Sequence, residues 1–277
     1  MRAALLQITS GEEPAANLAM VREMLAEAKA AGAGFVLTPE VTNFVSLDRA
    51  LQADVLLTEE DDSTLASLRA SARELGLWLS IGSLALKSGD PDGRFANRSF
   101  LIGPDGGIVA RYDKIHMFDV QVSATETFRE SAAFRPGARA VVADTPFARI
   151  GLSVCYDLRF AYLYRALAHA GAEVLLIPSA FTPVTGAAHW EPLLRARAIE
   201  TGCYVLAAAQ TGTHPSAHGR QRTTYGHAMA VAPWGEVLAD AGTAPGIVYV
   251  DLDRAKVAEA RARIPALQHD RPFEGPR

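Results

Sequence analysis

Short, nearly continuous apolar runs alternate with amphipathic stretches along most of the 277-residue chain. Such runs are typical of strands that are buried on both faces, because helices cover the sheet. The alternation predicts an α/β fold with all residues, 1–277, in a single domain. The predicted strands cover residues 4–8, 35–38, 78–84, 149–155, 173–179, 204–210, 227–233 and 246–252.

Apolar residues at helical spacing predict the elements between these strands. Four helices are expected, over residues 18–28, 65–75, 162–170 and 189–201. The second ends at Gly76, a residue type that commonly terminates helices. The Gly- and Pro-rich segment 103–107 lies between two apolar runs and therefore predicts a β-hairpin.

Charge and cysteine content narrow the classes of function. The formal net charge of -4 argues against nucleic acid or an anionic membrane as the main partner. No apolar run approaches the ~20 residues that span a bilayer, and the N-terminus is typical of a strand rather than a signal peptide. Two cysteines, Cys155 and Cys203, are too few for a disulfide-stabilised secreted protein, which favours the cytoplasm.

Cys155 lies where a buried strand meets a polar Tyr-Asp-Leu-Arg segment that opens the next helix. A thiol at such a corner is accessible at the edge of a sheet, and nearby backbone N–H groups favour the thiolate. The N–H of Tyr156 is a candidate donor to an oxyanion. The alternative interpretation is a buried structural cysteine, the common fate of a free cysteine.

Glu40 and Lys114 also follow predicted strands. Glu40 comes directly after Pro39 at a strand end, where α/β folds place groups that face ligands. A partly buried carboxylate with a raised pKa can accept a thiol proton. Lys114 can stabilise an oxyanion that develops in a transition state. Taken singly, each is equally consistent with an exposed surface charge.

Four segments together resemble the nitrilase superfamily of carbon–nitrogen hydrolases: TPE at 38–40, YDKIHMFD at 112–119, FRES at 128–131 and GLSVCYDLRF at 151–160. The resemblance continues through residues 175–210 and 224–240. It implies a catalytic triad in which Glu40 is the base, Lys114 stabilises the oxyanion and Cys155 is the nucleophile. It also implies that Glu130 positions Lys114 or the substrate amide.

The same resemblance implies a four-layer α-β-β-α sandwich, paired through one helical layer into a homodimer or a larger homo-oligomer. No metal or organic cofactor is expected. Segments 179–191, 209–214 and 225–238 are most similar to the branch typified by deaminated-glutathione amidase. That branch implies hydrolysis of a small carboxylate-bearing amide, deaminated glutathione above all, to an acid and ammonia through a thioester.

Candidate substrate-binding residues lie near the proposed nucleophile. Arg159, four residues after Cys155, can offer a bidentate contact to a carboxylate. The loop after strand 173–179 adds further candidates. The full set is Tyr156, Arg159, Phe181, Thr182 and Thr185. Apart from the oxyanion donor Tyr156, each is equally consistent with a structural role.

Several other functions remain open. The same triad would also serve an omega-amidase acting on α-ketoglutaramate, or a hydrolase of nitriles, aliphatic amides or N-carbamoyl compounds. A ligand-binding scaffold without catalysis and a redox role for Cys155 are further alternatives, although no partner cysteine lies nearby in sequence.

Other polar or aromatic residues are assigned structural roles. Ser153 is expected to be a packed, hydrogen-bonded strand serine, and Cys203 inert packing. His214 and His218 have the spacing of a metal pair but lack a helix and a third ligand. His227 is expected to be a satisfied core histidine. Trp190 and Trp234 are interpreted as core or interface anchors, and residues 263–273 as a tail that extends across a partner subunit.

Overall fold

The computed structural model describes residues 1–122, 126–217 and 221–275, and within them the chain forms sixteen strands and six α-helices. The strands are β1 Arg2–Ile8, β2 Phe35–Leu37, β3 Trp78–Lys87, β4 Phe95–Ile102, β5 Ile108–Asp113, β6 Asp119–Gln121, β7 Thr127–Arg129, β8 Val141–Asp144, β9 Arg149–Leu152, β10 Val174–Leu176, β11 Tyr204–Ala207, β12 Ala209–Thr213, β13 Thr223–Tyr225, β14 Met229–Val231, β15 Val237–Asp240 and β16 Gly246–Asp251. The helices are α1 Pro14–Ala30, α2 Arg49–Val55, α3 Ser63–Leu75, α4 Ala161–His169, α5 Pro183–Thr201 and α6 Arg254–Arg263.

Two large sheets dominate the molecule. The first has the order β13-β12-β1-β2-β3-β4-β5, and β16 also pairs with β1. The second has the order β15-β14-β11-β10-β9-β8. In each sheet the central strands are parallel, β12-β1-β2-β3 in the first and β11-β10-β9 in the second. Strands β6 and β7 form a separate small hairpin.

Side-chain alternation along β1 explains the layers. Ala3 and Leu5 pack between the two sheets, in the same cluster as Ile150 of the second sheet. Ala4 and Leu6 point the other way and pack against α1 and α3. Both faces of the strand are therefore apolar, as the sequence pattern predicted.

The second sheet is covered in the same way by α4 and α5. A Cβ on Gly151 of β9 would contact Leu167 of α4, so this face of β9 lies against the helix. Trp190 and Leu194 of α5 are buried in the core that includes the second sheet. The layers follow the order helix, sheet, sheet, helix, and the predicted four-layer α-β-β-α sandwich is confirmed.

Some predicted elements differ from the structure. The predicted strand 204–210 is two strands in two different sheets, because β11 ends at Ala207 and β12 begins at Ala209. An apolar run gives no sign of such a crossover, since both halves are buried. Helix α5 begins at Pro183 rather than near His189, because Thr182 caps it and Pro is favoured in the first turn.

Candidate active site

Three predicted site residues lie at strand ends that meet at one cavity. Glu40 follows β2, Lys114 follows β5, and Cys155 follows β9 at the start of a short 3-10 turn. β2 is a central strand of the first sheet and β9 lies one strand from the edge of the second, and each pairs in parallel with a neighbour in its own sheet. Because the two sheets pack face to face, the carboxyl ends of these strands bring together residues that are far apart in sequence.

Lys114 is the centre of a buried network of charges. Its Nζ lies 2.9 Å from Glu40 Oε1, and 2.9 and 2.8 Å from the two carboxylate oxygens of Glu130. The side chains of Lys114 and Glu40 are only 2% and 5% exposed, so water screens this pair poorly. Glu130 also accepts a hydrogen bond from the backbone N–H of Phe118, at 2.6 Å. The lysine is therefore held by two carboxylates.

The backbone is strained at both ends of the proposed proton-transfer pair. Cys155 has φ 52° and Val41, the residue after Glu40, has φ 48°. Left-handed conformations are unfavourable for residues other than glycine, above all for a β-branched valine. In addition, a Cβ on Gly82 would lie 2.0 Å from Thr38 O and 2.5 Å from Pro39 O, so only glycine lets β3 pass this close to the segment that carries Glu40.

Hydrogen bonds fix the corner that carries Cys155. Its backbone N–H donates to Pro178 O at 3.0 Å. The N–H of Val154 donates to the carboxylate of Asp157 at 2.9 Å. The same carboxylate accepts the hydroxyl of Tyr112 at 2.7 Å, the N–H of His116 at 3.0 Å and a contact from His116 Nδ1 at 2.6 Å. One buried carboxylate thus connects the nucleophile corner with both flanks of Lys114.

The electrostatic state of the site differs from the prediction for Glu40. Burial alone would raise the pKa of Glu40, but the positive charges of Lys114 and Arg222 outweigh it, and the pKa is lowered. The predicted raised pKa is therefore wrong in direction. Glu40 is an ionised carboxylate at neutral pH, and hydrogen bonding with the Cys155 thiol also lowers its pKa. Its Oε2 is buried and has no hydrogen-bond partner among the other described residues.

Burial raises the pKa of the Cys155 thiol far above its usual range, and the negative charge of Glu40 adds to this effect. Lys114 and the backbone N–H of Ala180 act in the opposite direction but do not outweigh burial. The backbone N–H groups that the sequence suggested would favour the thiolate do not outweigh burial, and the resting nucleophile is a neutral thiol. Burial would lower the pKa of Lys114, but Glu130 and Glu40 raise it, so the lysine remains a cation.

The cavity above these residues has a volume of about 260 Å³, which suits a small molecule. Its wall combines aromatic, aliphatic and polar side chains from the segment 41–52 after β2, from the β6-β7 hairpin region and from the loop after β10. Three predicted substrate-binding residues line it, namely Tyr156, Phe181 and Thr185. Aromatic residues Phe44, Phe118, Phe128 and Phe134 complete much of the wall.

Two other predicted substrate-binding residues lie outside the cavity lining. Arg159 contacts His189 Nδ1 at 3.2 Å, and its guanidinium lies over the rings of Tyr156 and Phe181. Thr182 accepts a hydrogen bond from the N–H of Thr185 at 3.3 Å and caps α5. In this structure both residues support the wall of the cavity rather than forming its surface.

Comparisons with known proteins identify the family. A family model for carbon-nitrogen hydrolases matches residues 2–262. The chain belongs to the carbon-nitrogen hydrolase family. Among its relatives is the deaminated glutathione amidase of Yersinia enterocolitica, which is 41% identical over 270 residues, 97% of this chain and 92% of the relative. The family and its amidase relatives show that this enzyme is an amidase.

Solved structures agree with this assignment. The Caenorhabditis elegans NitFhit protein superposes with a TM-score of 0.89 at 37% identity, over 98% of this chain and 65% of that longer chain. A mutant of the amidase from Nesterenkonia sp. AN1 has a TM-score of 0.80 at 28% identity, over 98% of this chain and 94% of that one. In that structure the acetamide moiety of fluoroacetamide is covalently attached to the active-site cysteine.

The predictions from sequence missed two residues of this carbon-nitrogen hydrolase site. Asn97 Nδ2 donates to Glu40 Oε1 at 2.9 Å and lies 3.4 Å from Glu130 Oε1. A buried asparagine within the apolar strand β4 was a signal that could have identified it. Arg222 lines the cavity and lowers the pKa of Glu40, and its position in a polar loop gave no such signal.

Residues that the sequence assigned to packing are placed as follows. Ser153 is buried and bonded to Tyr164 and to Leu176 O, as predicted, but it follows the strand rather than lying in it, because β9 ends at Leu152. Cys203 is likewise buried, beside Arg261. His227 differs from the prediction, because it is half-buried and paired with Asp240 at the surface.

Both ring nitrogens of His214 contact protein atoms, Ser10 O and Thr224 Oγ1. His218 lies outside the described residues. Within residues 1–122, 126–217 and 221–275, no group of three or more potential metal ligands occurs, and no helix there is long and apolar enough to cross a membrane.

The aromatic anchors and the C-terminal tail also have definite places. Trp190 is buried in the core, whereas Trp234 is partly exposed beneath the guanidinium of Arg263. The tail turns back on its own chain, because Asp270 pairs with Arg165 and His169 of α4.

Proposed function

We propose that this amidase hydrolyses a small carboxylate-bearing amide through a thioester on Cys155. The observation that carries the proposal is the convergence of Glu40, Lys114 and Cys155 on one small cavity, with Lys114 Nζ 2.9 Å from Glu40 Oε1. The residues have the chemistry that acyl transfer to a thiol requires, namely a base, a nucleophile and a cation beside the reacting carbonyl.

The first half of the reaction forms the thioester. As the sulfur of Cys155 bonds to the amide carbon, its proton passes to the free Oε2 of Glu40. The negative charge that develops on the carbonyl oxygen is stabilised by Lys114 and by the N–H of Tyr156, and such a donor is commonly worth ~3 kcal/mol. The carbon–nitrogen bond then breaks, and Glu40 transfers the proton to the leaving nitrogen.

The second half restores the enzyme. A water molecule attacks the thioester while Glu40 accepts one of its protons. The carbon–sulfur bond breaks, the carboxylic acid is released, and the proton returns to the sulfur of Cys155. Glu130 contacts Lys114 through both oxygens and so holds the ammonium in place through both halves. None of these steps draws on a metal or an organic cofactor.

Deaminated glutathione is the substrate that we propose, because full-length relatives at about 40% identity carry this activity in their names. Glutathione is a tripeptide, so cleavage within its deaminated form releases an amine. Release of ammonia, as expected above, applies to primary amides such as α-ketoglutaramate. An assay therefore has to detect both kinds of product.

Intact-protein mass spectrometry with a slowly hydrolysed amide tests the mechanism. We expect the mass of one acyl group on the wild-type enzyme and none on Cys155→Ala, which should also lose hydrolysis while keeping its fold. The matched control is Cys203→Ala, since Cys203 is the other buried free cysteine. Full turnover by Cys155→Ala would disprove the thioester. A wild-type enzyme inactive on amides, nitriles and N-carbamoyl compounds would favour a binding scaffold.

We further propose that the chain, as a single carbon–nitrogen hydrolase domain, forms a homodimer or a larger homo-oligomer in the cytoplasm. Large apolar residues exposed on α4 and α5, among them Tyr162, Val184 and Ile199, support pairing through this helical layer. Two free cysteines are consistent with a reducing compartment. Light scattering of the purified protein measures the assembly.

A further inference from the structure

Arg222 is a cation of the cavity wall whose hydrogen-bonding capacity is only partly used. Its Nη2 donates to Ala180 O at 2.7 Å. Its Nε is buried and has no hydrogen-bond partner, and no carboxylate lies within ion-pair distance of its guanidinium among the described residues. A buried charged donor without a partner is unfavourable, so the free donors point to a ligand that is absent from the chain itself.

The position of Arg222 places this unused charge beside the reacting groups. Ala180, which accepts its hydrogen bond, directs its own N–H towards the sulfur of Cys155. The guanidinium is also close enough to Glu40 to lower the pKa of that carboxyl. The backbone of Arg222 is fixed, because its carbonyl accepts the N–H of His214 at 2.9 Å. A small molecule in the cavity would therefore meet both Cys155 and Arg222.

The other cations of the cavity are less suited to bind an anion. Lys114 is occupied by the carboxylates of Glu40 and Glu130. Arg49 and Arg129 are exposed, and Arg49 donates to Ala132 O. Water screens an exposed charge, whereas a sheltered guanidinium binds a carboxylate strongly and in two-point geometry.

We propose that Arg222 binds the carboxylate of the acyl part of the substrate and thereby selects acidic amides over neutral ones. This inference rests on the proposed function, because it names the residue that recognises the acid group of that substrate. The sequence pointed instead to Arg159, which lies behind the rings of Tyr156 and Phe181 and outside the cavity lining.

A pair of matched substrates tests the assignment. Glutaramate and pentanamide are primary amides of equal chain length that differ by a terminal carboxylate in place of a methyl group. We expect Arg222→Gln to raise KM for glutaramate roughly 10- to 100-fold, as expected for the loss of charge-assisted hydrogen bonds. KM for pentanamide should stay within about 2-fold, and any change in kcat that the lost charge causes through Glu40 should be the same for both substrates.

Three further variants sharpen the result. Arg222→Lys keeps the charge that acts on Glu40 but loses the two-point geometry, so it should raise KM for glutaramate and leave KM for pentanamide unchanged. The same variant replaces Arg222→Gln in the test if the glutamine variant does not fold. Arg129→Gln removes an exposed cation at the same cavity and should leave both KM values nearly unchanged. If Arg159→Gln raised KM for glutaramate alone and Arg222→Gln did not, the anion site would be assigned to Arg159 instead.

The outcomes separate the two proposals. If Arg222→Gln and Arg222→Lys raised KM equally for both substrates, Arg222 would act through Glu40 or Ala180. The carboxylate site would then be rejected. Equal KM values of the wild-type enzyme for both amides would reject it too, while leaving the thioester mechanism intact. Absence of an acyl-enzyme on Cys155 would instead reject the proposed function.

Discussion

Replacement of Asp157 by asparagine tests how the two halves of the site are held together. Its carboxylate is fully buried and accepts hydrogen bonds from Val154 and Tyr112 on one oxygen and from His116 on the other. Val154 precedes the nucleophile, whereas Tyr112 and His116 flank Lys114. An asparagine has nearly the same shape but only one acceptor oxygen, so the substitution changes hydrogen bonding with little change in volume.

The size of the effect follows from the two possible orientations of the new amide. With its NH₂ group towards Val154, the backbone N–H of Val154 loses its acceptor. With the NH₂ group towards His116, the backbone N–H of His116 loses its acceptor instead. Either orientation leaves one buried donor unpaired and removes hydrogen bonds to a charge, so we expect ~2–4 kcal/mol of destabilisation. For a chain of this size, Tm should fall by on the order of 10 °C.

Asp157→Asn should also lower kcat at temperatures where the variant is still folded. Small shifts of the Cys155 corner relative to Lys114 should lower kcat by roughly 100-fold, because acyl transfer depends on alignment of the reacting atoms. KM should change little, since Asp157 is not part of the cavity wall. The assays are urea denaturation and steady-state kinetics below the new Tm.

Tyr112→Phe is a milder control for Asp157→Asn, because Tyr112 is one of the donors to the same carboxylate. Tyr112→Phe removes one donor to Asp157 and leaves the N–H of Val154 and both His116 contacts. It should therefore lower the free energy of unfolding by only about 1 kcal/mol. If Asp157→Asn unfolded at the same urea concentration as the wild-type protein and kept its kcat, the carboxylate would not hold the corner, and the argument would be rejected.

Two other predictions concern charge. Lys114→Ala should lower kcat by about 100- to 1,000-fold, because it removes an oxyanion donor, and a change confined to KM would assign Lys114 to ground-state binding. Burial lowers the pKa of His214 from 6.5 to about 4, so the folded state binds a proton less readily than the unfolded state. Stability should therefore fall by ~3 kcal/mol as pH decreases from 6.5 towards 4, and urea denaturation of His214→Gln should show a flatter pH dependence over that interval.

Apolar alternation predicted sheets covered by helices because it reports burial directly, whereas the four-layer arrangement was implied by the family resemblance. It could not predict the crossover at Ala208, since a strand buried in either sheet has the same composition. Short polar elements such as α2 and α6 were missed for the opposite reason, as they bury few apolar residues. Their Asp48 and Asp253 caps are visible in sequence only once the helices are known.

Within the site, the strand ends that carry Glu40, Lys114 and Cys155 were readable, but their ionisation was not. The direction of the pKa of Glu40 depends on how much charge surrounds it after folding. Arg222, distant in sequence, contributes to that charge, and so does the Lys114 ion pair. A carboxylate considered alone at a strand end suggested a raised pKa, because desolvation was the only effect that the sequence made apparent.

The resting ionisation explains how Lys114 can favour the transition state over the ground state. In the free enzyme its ammonium is already paired with the negative charge of Glu40 Oε1. When Cys155 attacks, its proton neutralises Glu40, and an equal negative charge appears on the carbonyl oxygen of the substrate. Lys114 then exchanges one anionic partner for another. The net charge of the buried cavity therefore does not change during the attack. The ammonium can stabilise the oxyanion because protonation of Glu40 ends its pairing with that carboxylate.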